Sequence, residues 1–222
     1  MREQQFENVY DFFESIKAYN YLILRNYEDY PDIIQSNTHE DIDILCENKK
    51  EFIKIIDAKP LFRRNDGVHF YVDIDSQRIP IDIRDVKDGY YCGKWANEML
   101  EHRTKYKGLF YIMESQDYFY SLLYHALIHK KTLSDEYFRR LEHMATKIGI
   151  VVDGKESLYK ILNGYLKNKE YCVTNSSDVN LIINIDSIDI DLIKINQLWQ
   201  KKQKAYQMVC KLKRILKKIQ NK

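Results

Sequence analysis

The chain has 222 residues, 45% of them hydrophobic, 31% charged and 13% aromatic. That is enough apolar material for a buried core without disulfide or metal support, and seven glycines and three prolines exclude a collagen-like, loop-rich or disordered chain. The net charge of +2 is uneven: residues 192–222 hold ten Lys or Arg and no acid, leaving residues 1–191 with 25 bases against 33 acids, a balance of −8.

Residues 5–18 place Phe6, Val9, Tyr10, Phe13 and Ile16 at three- and four-residue steps, which predicts an amphipathic helix. Residues 21–24 (YLIL) read as a short buried strand. Residues 25–40 are polar and contain Pro31 and Asn37, so a loop is expected there. Residues 41–45 (DIDIL) alternate and predict a strand, and 49–57 a short helix. Residues 67–75 and 78–84 alternate again around the break Ser76-Gln77, the pattern of an antiparallel hairpin, with Pro80 pointing to an edge or a strand start. In residues 88–103, Trp95, Met99 and Arg103 recur at four-residue spacing. Trp95 reads as an anchor between the two halves of the chain, Arg103 as a cleft or surface residue. Helical spacing takes over at 116–131, 135–148 and 155–167, and returns at 192–220 after a mixed stretch. The expected organisation is therefore an α+β region over residues 1–113 and a mainly helical region over 114–222, packed as one unit because no Gly/Ser/Pro linker separates them.

The chemistry concentrates in residues 38–45 (THEDIDIL). A strand has period two, so Asp41 and Asp43 project from one face, about 7 Å apart along the backbone. Ile42, Ile44 and Leu45 are the expected buried side. Two carboxylates on one face repel each other unless a cation stands between them, and Mg²⁺ favours such oxygen ligands. Asp82, between Ile81 and Ile83, is the best third acid. Asp73 and Asp75 compete with it, but the Asp82 strand is the more apolar. Such a trio could orient a nucleoside triphosphate for in-line displacement at phosphorus. The plain alternative is a solvated strand face with no metal chemistry.

Strand, long polar loop, Asp-x-Asp strand and a later acid resemble the nucleotidyltransferase superfamily, which includes DNA polymerase beta and the kanamycin-type adenylyltransferases. YLILRN (21–26), HEDIDIL (39–45) and PIDIR (80–84) carry the likeness. These segments and YYCGKW also look like nucleotidyltransferase-like proteins of bacterial surface-polysaccharide clusters and some large viruses. The resemblance covers residues 20–130. It implies a nucleotidyltransferase-like mixed sheet with flanking helices. It also implies Mg²⁺, with Mn²⁺ as substitute, held by Asp41, Asp43 and Asp82, Asp82 also taking a proton from the attacking hydroxyl. Where the family has Gly-Ser, this chain has Arg25-Asn26. Arg25, Asn26, Arg84 and Lys130 are then the candidate phosphate contacts.

The expected activity is transfer of a nucleotidyl group from a nucleoside triphosphate to a hydroxyl or phosphate of a small molecule or glycan. Two alternatives stand beside it. One is a phosphotransferase moving a phospho-alcohol from a CDP-linked donor to a surface glycan. The other is an inactive scaffold or antitoxin-like module, which the Arg25-Asn26 departure supports. His125 and His129 have the spacing of a metal pair but lack an accompanying glutamate, so a role in the core or beside the cleft is expected. The acidic body argues against nucleic acid as a partner. The basic stretch 192–222, with Trp199, is expected to pack on the helical region, with an anionic membrane surface as an alternative contact. No run of 18 apolar residues occurs, the first residues lack a signal-peptide core, and Cys46, Cys92, Cys172 and Cys210 form no CxxC pair. A cytoplasmic protein with reduced thiols, peripheral at most to the inner face of the membrane, is the expectation.

Overall fold

In a computed structural model the protein is described over residues 6–32, 41–63, 66–130 and 132–209, apart from 179, 182, 187, 197, 200 and 207. Helix α1 (Val9–Ile16) starts where the Asn8 side chain accepts from the N–H groups of Tyr10 and Asp11, and it buries Val9, Phe12, Phe13 and Ile16. Strands β1 (Tyr21–Ile23) and β2 (Ile42–Cys46) follow, then α2 (Lys49–Ile55), capped by Asn48, and β3 (Lys59–Pro60). Strands β4 (His69–Ile74) and β5 (Gln77–Asp85) form the hairpin. Helix α3 (Gly93–Glu101), β6 (Thr104–Tyr106) and β7 (Phe110–Ile112) complete the first region.

The sheet has seven strands in the order β3-β4-β5-β2-β1-β7-β6. Pairing is parallel for β2–β5 and β1–β7 and antiparallel elsewhere, so the sheet is mixed and the fold is α+β. Strands β5 and β2 are interior. Pro80 therefore lies inside an interior strand, not at an edge. Register explains how. Pro80 stands opposite Tyr71 at a position whose N–H would point away from β4, and β2 begins one residue later, at Ile42 opposite Ile81, so no ladder bond is lost. The hairpin turn is Asp75-Ser76, both with positive φ, closed by Ile74 opposite Gln77. The sequence break was placed one residue late, and Asp75 belongs to the turn.

The second region opens with α4 (Ser115–Tyr124), which runs into a π-helical turn (His125–His129). Helices α5 (Asp135–Lys147) and α6 (Gly154–Lys169) follow. The described residues of 171–196 form a mostly irregular strap with a small parallel pair, β8 (Val173–Thr174) and β9 (Ile193–Lys194). Of the helical spacing expected from 192, the described residues are helical only between 198 and 209, because Ile190–Leu192 is a 3₁₀ turn leading into β9. Residues 210–222, with much of the basic stretch, lie outside the described residues, as do residues 33–40 of the predicted loop. Among the described residues no helix is long and apolar enough to cross a membrane.

Both regions share one apolar core. Trp95 is fully buried, stacks on Tyr171 with ring centroids 5.2 Å apart, and meets Tyr124 and Tyr165. The strap closes onto the sheet at Gly89. There a side chain would put its Cβ 1.8 Å from the Asn175 carbonyl oxygen, and φ is +73°, so both space and backbone require glycine.

Candidate metal centre

Parallel pairing of β2 with β5 sets Asp43 directly beside Asp82, and antiparallel pairing with β4 sets His69 on the other side of Asp82. Asp41, just before β2, stands two residues from Asp43 and so on the same face. Asp41, Asp43 and Asp82 each offer an oxygen, and these oxygens lie within 4.8 Å of one another. Asp73 is instead on the outer half of the hairpin, with its carboxylate 3.9 Å from Arg78. By alternation Leu45 shares the face of Asp43, opposite Leu22, and does not join Ile42 and Ile44 as expected. It is buried all the same.

The electrostatics of the trio are those of crowded carboxylates. Burial, with Asp43 and Asp41 close by, pushes the Asp82 carboxyl up to about 7, against the opposing pull of His69 and Arg84. Arg25 stands on Asp43, with Nη2 2.5 Å from Oδ1. Its Nη1 donates to the Tyr90 hydroxyl at 3.1 Å, and that hydroxyl shares a hydrogen bond with His125 Nδ1 at 2.6 Å. Burial, together with Arg25, Arg84 and Lys130, pushes both His125 and His129 well below the ordinary histidine range, so both are neutral. The imidazole centroids are 5.8 Å apart, and the one cluster of three or more potential metal ligands among the described residues is the aspartate trio, so the histidines are a buried support.

The other candidate phosphate contacts are placed unequally. Asn26 follows Arg25 with φ of 60°, in the left-handed region that glycine adopts most easily, and its side chain accepts from Arg140 at 2.8 Å. Arg84 is buried. Its Nη2 donates to Asp178 at 3.0 Å and its guanidinium lies 4.4 Å from the Tyr90 ring centroid, while Nη1 has no hydrogen-bond partner among the described residues. Lys130 is exposed just beyond the π turn. Arg103 is remote from this arrangement: it donates to the Leu100 carbonyl at 2.6 Å and covers the Tyr111 ring.

Sequence reasoning missed one pair. Asp66 accepts from the backbone N–H groups of Val68 and His69 at 3.0 Å each, and from the His69 ring at 2.6 Å. Burial opposes the Asp66 charge, but these hydrogen bonds hold its carboxyl below the usual range. Ionised Asp66 can only accept, so His69 donates through Nδ1 and turns Nε2 toward Asp82, 3.7 Å away. The available signal was a histidine opening an alternating strand three residues after an aspartate. The pairing that brings it to Asp82 is not written locally.

Comparison with protein-family models, with curated proteins and with solved structures finds no match for the chain. What the site can do follows from its own geometry. Three carboxylates on adjacent strands are an all-oxygen donor set that fits a hard divalent cation such as Mg²⁺ or Mn²⁺.

Proposed function

We propose that the protein is a divalent-metal-dependent nucleotidyltransferase, built on a nucleotidyltransferase-type sheet. It would transfer a nucleotidyl group from a nucleoside triphosphate to a hydroxyl or phosphate of a small-molecule or glycan acceptor. The observation that carries this reading is the convergence of Asp41, Asp43 and Asp82 within 4.8 Å, from two strands held in register. A bound Mg²⁺ would supply charge neutralisation on the phosphates and favour in-line displacement. The remaining work falls to the chain. The acceptor oxygen bonds to the α-phosphorus, the phosphorus bond to the bridging oxygen breaks, and pyrophosphate departs with the electron pair. The hydroxyl proton passes to Asp82. His69, fixed by Asp66, steadies that carboxyl. Arg25 has two partners to choose between: it neutralises Asp43 at rest and turns to phosphate when substrate arrives, with Tyr90 holding its other nitrogen.

The test is incubation with each nucleoside triphosphate and Mg²⁺, reading pyrophosphate release, beside a CDP-alcohol arm reading CMP release. Turnover that needs Mg²⁺ or Mn²⁺, yields pyrophosphate and disappears in Asp41→Asn supports the reading. CMP release alone turns it into phospho-alcohol transfer. A second reading is favoured by the Arg25–Asp43 pair itself: a module in which arginine permanently replaces the cation would keep the fold without turnover. Calorimetry showing no metal-dependent nucleotide binding would establish that alternative.

A further inference from the structure

The strap meets the start of helix α3 along a line of contacts that runs antiparallel. Gly89 lies against the Asn175 backbone, and farther along Lys94 pairs with Glu170, Nζ to Oε2 at 3.3 Å. Cys92 stands three residues after Gly89, and Cys172 three residues before Asn175. Two more steps in each direction reach Lys94 and Glu170. The register set by the outer contacts therefore puts the two cysteines opposite each other, and the Cys172 thiol is hydrogen-bonded to the Cys92 sulfur. We propose that Cys92 and Cys172 form a reversible dithiol–disulfide site that clasps the strap to the sheet, a device that stands apart from any activity at the acid trio.

Neighbouring contacts fix the approach of the two segments. The Ser177 N–H donates to the Asp88 carbonyl at 2.6 Å, and Lys94 Nζ donates to the Lys169 carbonyl at 2.8 Å. Trp95, in the first turn of α3, stacks on Tyr171, the residue before Cys172. Backbones already paired in register supply the approach that a disulfide requires. Cys92 is the N-cap residue of α3 but makes no capping bond through its side chain, so its sulfur is not committed to the helix. Burial, with both sulfurs close by, pushes the Tyr124 hydroxyl up, which places that ring beside the pair. Cys46 is elsewhere, buried in β2 with its thiol donating to the Arg84 carbonyl.

Exposure divides the roles. Cys172 is half-buried and Cys92 buried, so a reagent from solvent reaches Cys172 first. Burial, with Cys92 beside it, holds the Cys172 thiol above its ordinary range against the pull of Lys194, so it stays largely protonated at neutral pH and reacts slowly with chance oxidants. The oxidant is a small disulfide of the glutathione class. Cys172 gives up its proton, its thiolate attacks one sulfur of the small disulfide, and a mixed disulfide forms as the first small thiolate leaves. Cys92 then gives up its proton and attacks the Cys172 sulfur. The Cys92–Cys172 bond forms, the mixed disulfide breaks, and the second small thiolate leaves. Each departing thiolate takes up a proton, so two protein thiols are oxidised while one small disulfide is reduced to two thiols. The bond closes a loop of about 80 residues and ties the strap, which carries Asp178, to the segment that carries Tyr90.

The experiment uses the full chain, reduced and then equilibrated with glutathione and glutathione disulfide under native conditions. It is alkylated, digested without reductant and mapped by mass spectrometry. The expected product is a Cys92–Cys172 cross-link, about 2 Da lighter than the dithiol, with Cys46 and Cys210 alkylated. Its melting temperature should stand at least about 5 °C above that of the reduced chain, and dithiothreitol should reverse both changes. Cys92→Ser should halt at the mixed disulfide on Cys172, and Cys172→Ser should leave Cys92 unlinked. The linkage map of the wild type decides the pairing even where a variant folds poorly. Failure of the pair to link under native conditions, or a bond from either cysteine to Cys46 or Cys210, overturns the proposal. The Cys92–Cys172 bond with melting unmoved overturns the clasp.

Discussion

On one face of β2 and β5 stand Ile42, Ile44, Ile81 and Ile83, all fully buried; one residue along, on the other face, stand Asp43, Asp82 and Arg84. The first set is satisfied by contact alone, and any apolar side chain of similar size would serve. The second set is satisfied only by specific partners: Arg25 for Asp43, Asp178 for Arg84, and His69 beside Asp82. The same backbone ladder thus holds a face that stabilises and a face whose charges must be balanced from outside the sheet. Stability and chemistry should therefore separate when the faces are changed one at a time.

The largest separation is expected from Asp41→Asn. Turnover should fall by about a thousandfold, the scale of several kcal/mol of lost charge stabilisation. Melting should move by no more than a few degrees, because the side chain is half-exposed and not part of the apolar core. Steady-state rates and calorimetric melting on one preparation check both halves. Ile44→Ala is the mirror image. Opening a void at a fully buried site should cost about 2–4 kcal/mol in denaturant unfolding, while the folded fraction keeps its Mn²⁺ affinity. A rate loss as large as that of Asp41→Asn, measured per folded molecule, would end the idea of two independent faces.

How much of this was legible from the chain alone follows the range of each signal. The alternation in DIDIL and IPIDIR is local, so the strands and the shared face of Asp41 and Asp43 were readable. That Asp82 rather than Asp73 stands beside them depends on β5 pairing parallel with β2, across an intervening helix and two strands, which no local pattern specifies. Strands β6 and β7, of three residues each, are too short to display a period. The two-residue strand β8 is likewise held by its partner β9 more than by its own sequence. Helix α4 was visible, but its π turn was not. Leu45 and Pro80 were misread for one reason: each was assigned from its own character, when its face and its tolerance are set by neighbouring strands.

Smaller effects sharpen the comparison on the acid face itself. His69→Ala should lower turnover by about a hundredfold, the lower end of what a group assisting proton transfer contributes, with Mn²⁺ affinity nearly unchanged. Parallel losses in rate and metal affinity would instead make His69 a ligand. The mildest change is expected from Arg25→Gln in the absence of nucleotide. With the guanidinium gone from Asp43, Mn²⁺ should bind about tenfold more tightly, read by paramagnetic resonance. Adding tripolyphosphate should favour the wild type again, since it alone retains the Arg25 guanidinium to turn to phosphate.

Arg84 leaves the β5 strand at the centre of the sheet, yet the carboxylate it hydrogen-bonds is Asp178, 94 residues farther on. A ribosome emits the acids, the arginine and the whole sheet before it emits that partner. Until the strap arrives and seats itself at Gly89, the guanidinium under Tyr90 has Asp88 and Asp82 nearby but lacks the carboxylate it hydrogen-bonds. Synthesis order thus brings the strap in after the whole sheet, and a product cut short after Glu170 would hold every proposed ligand while lacking the carboxylate that Arg84 bonds.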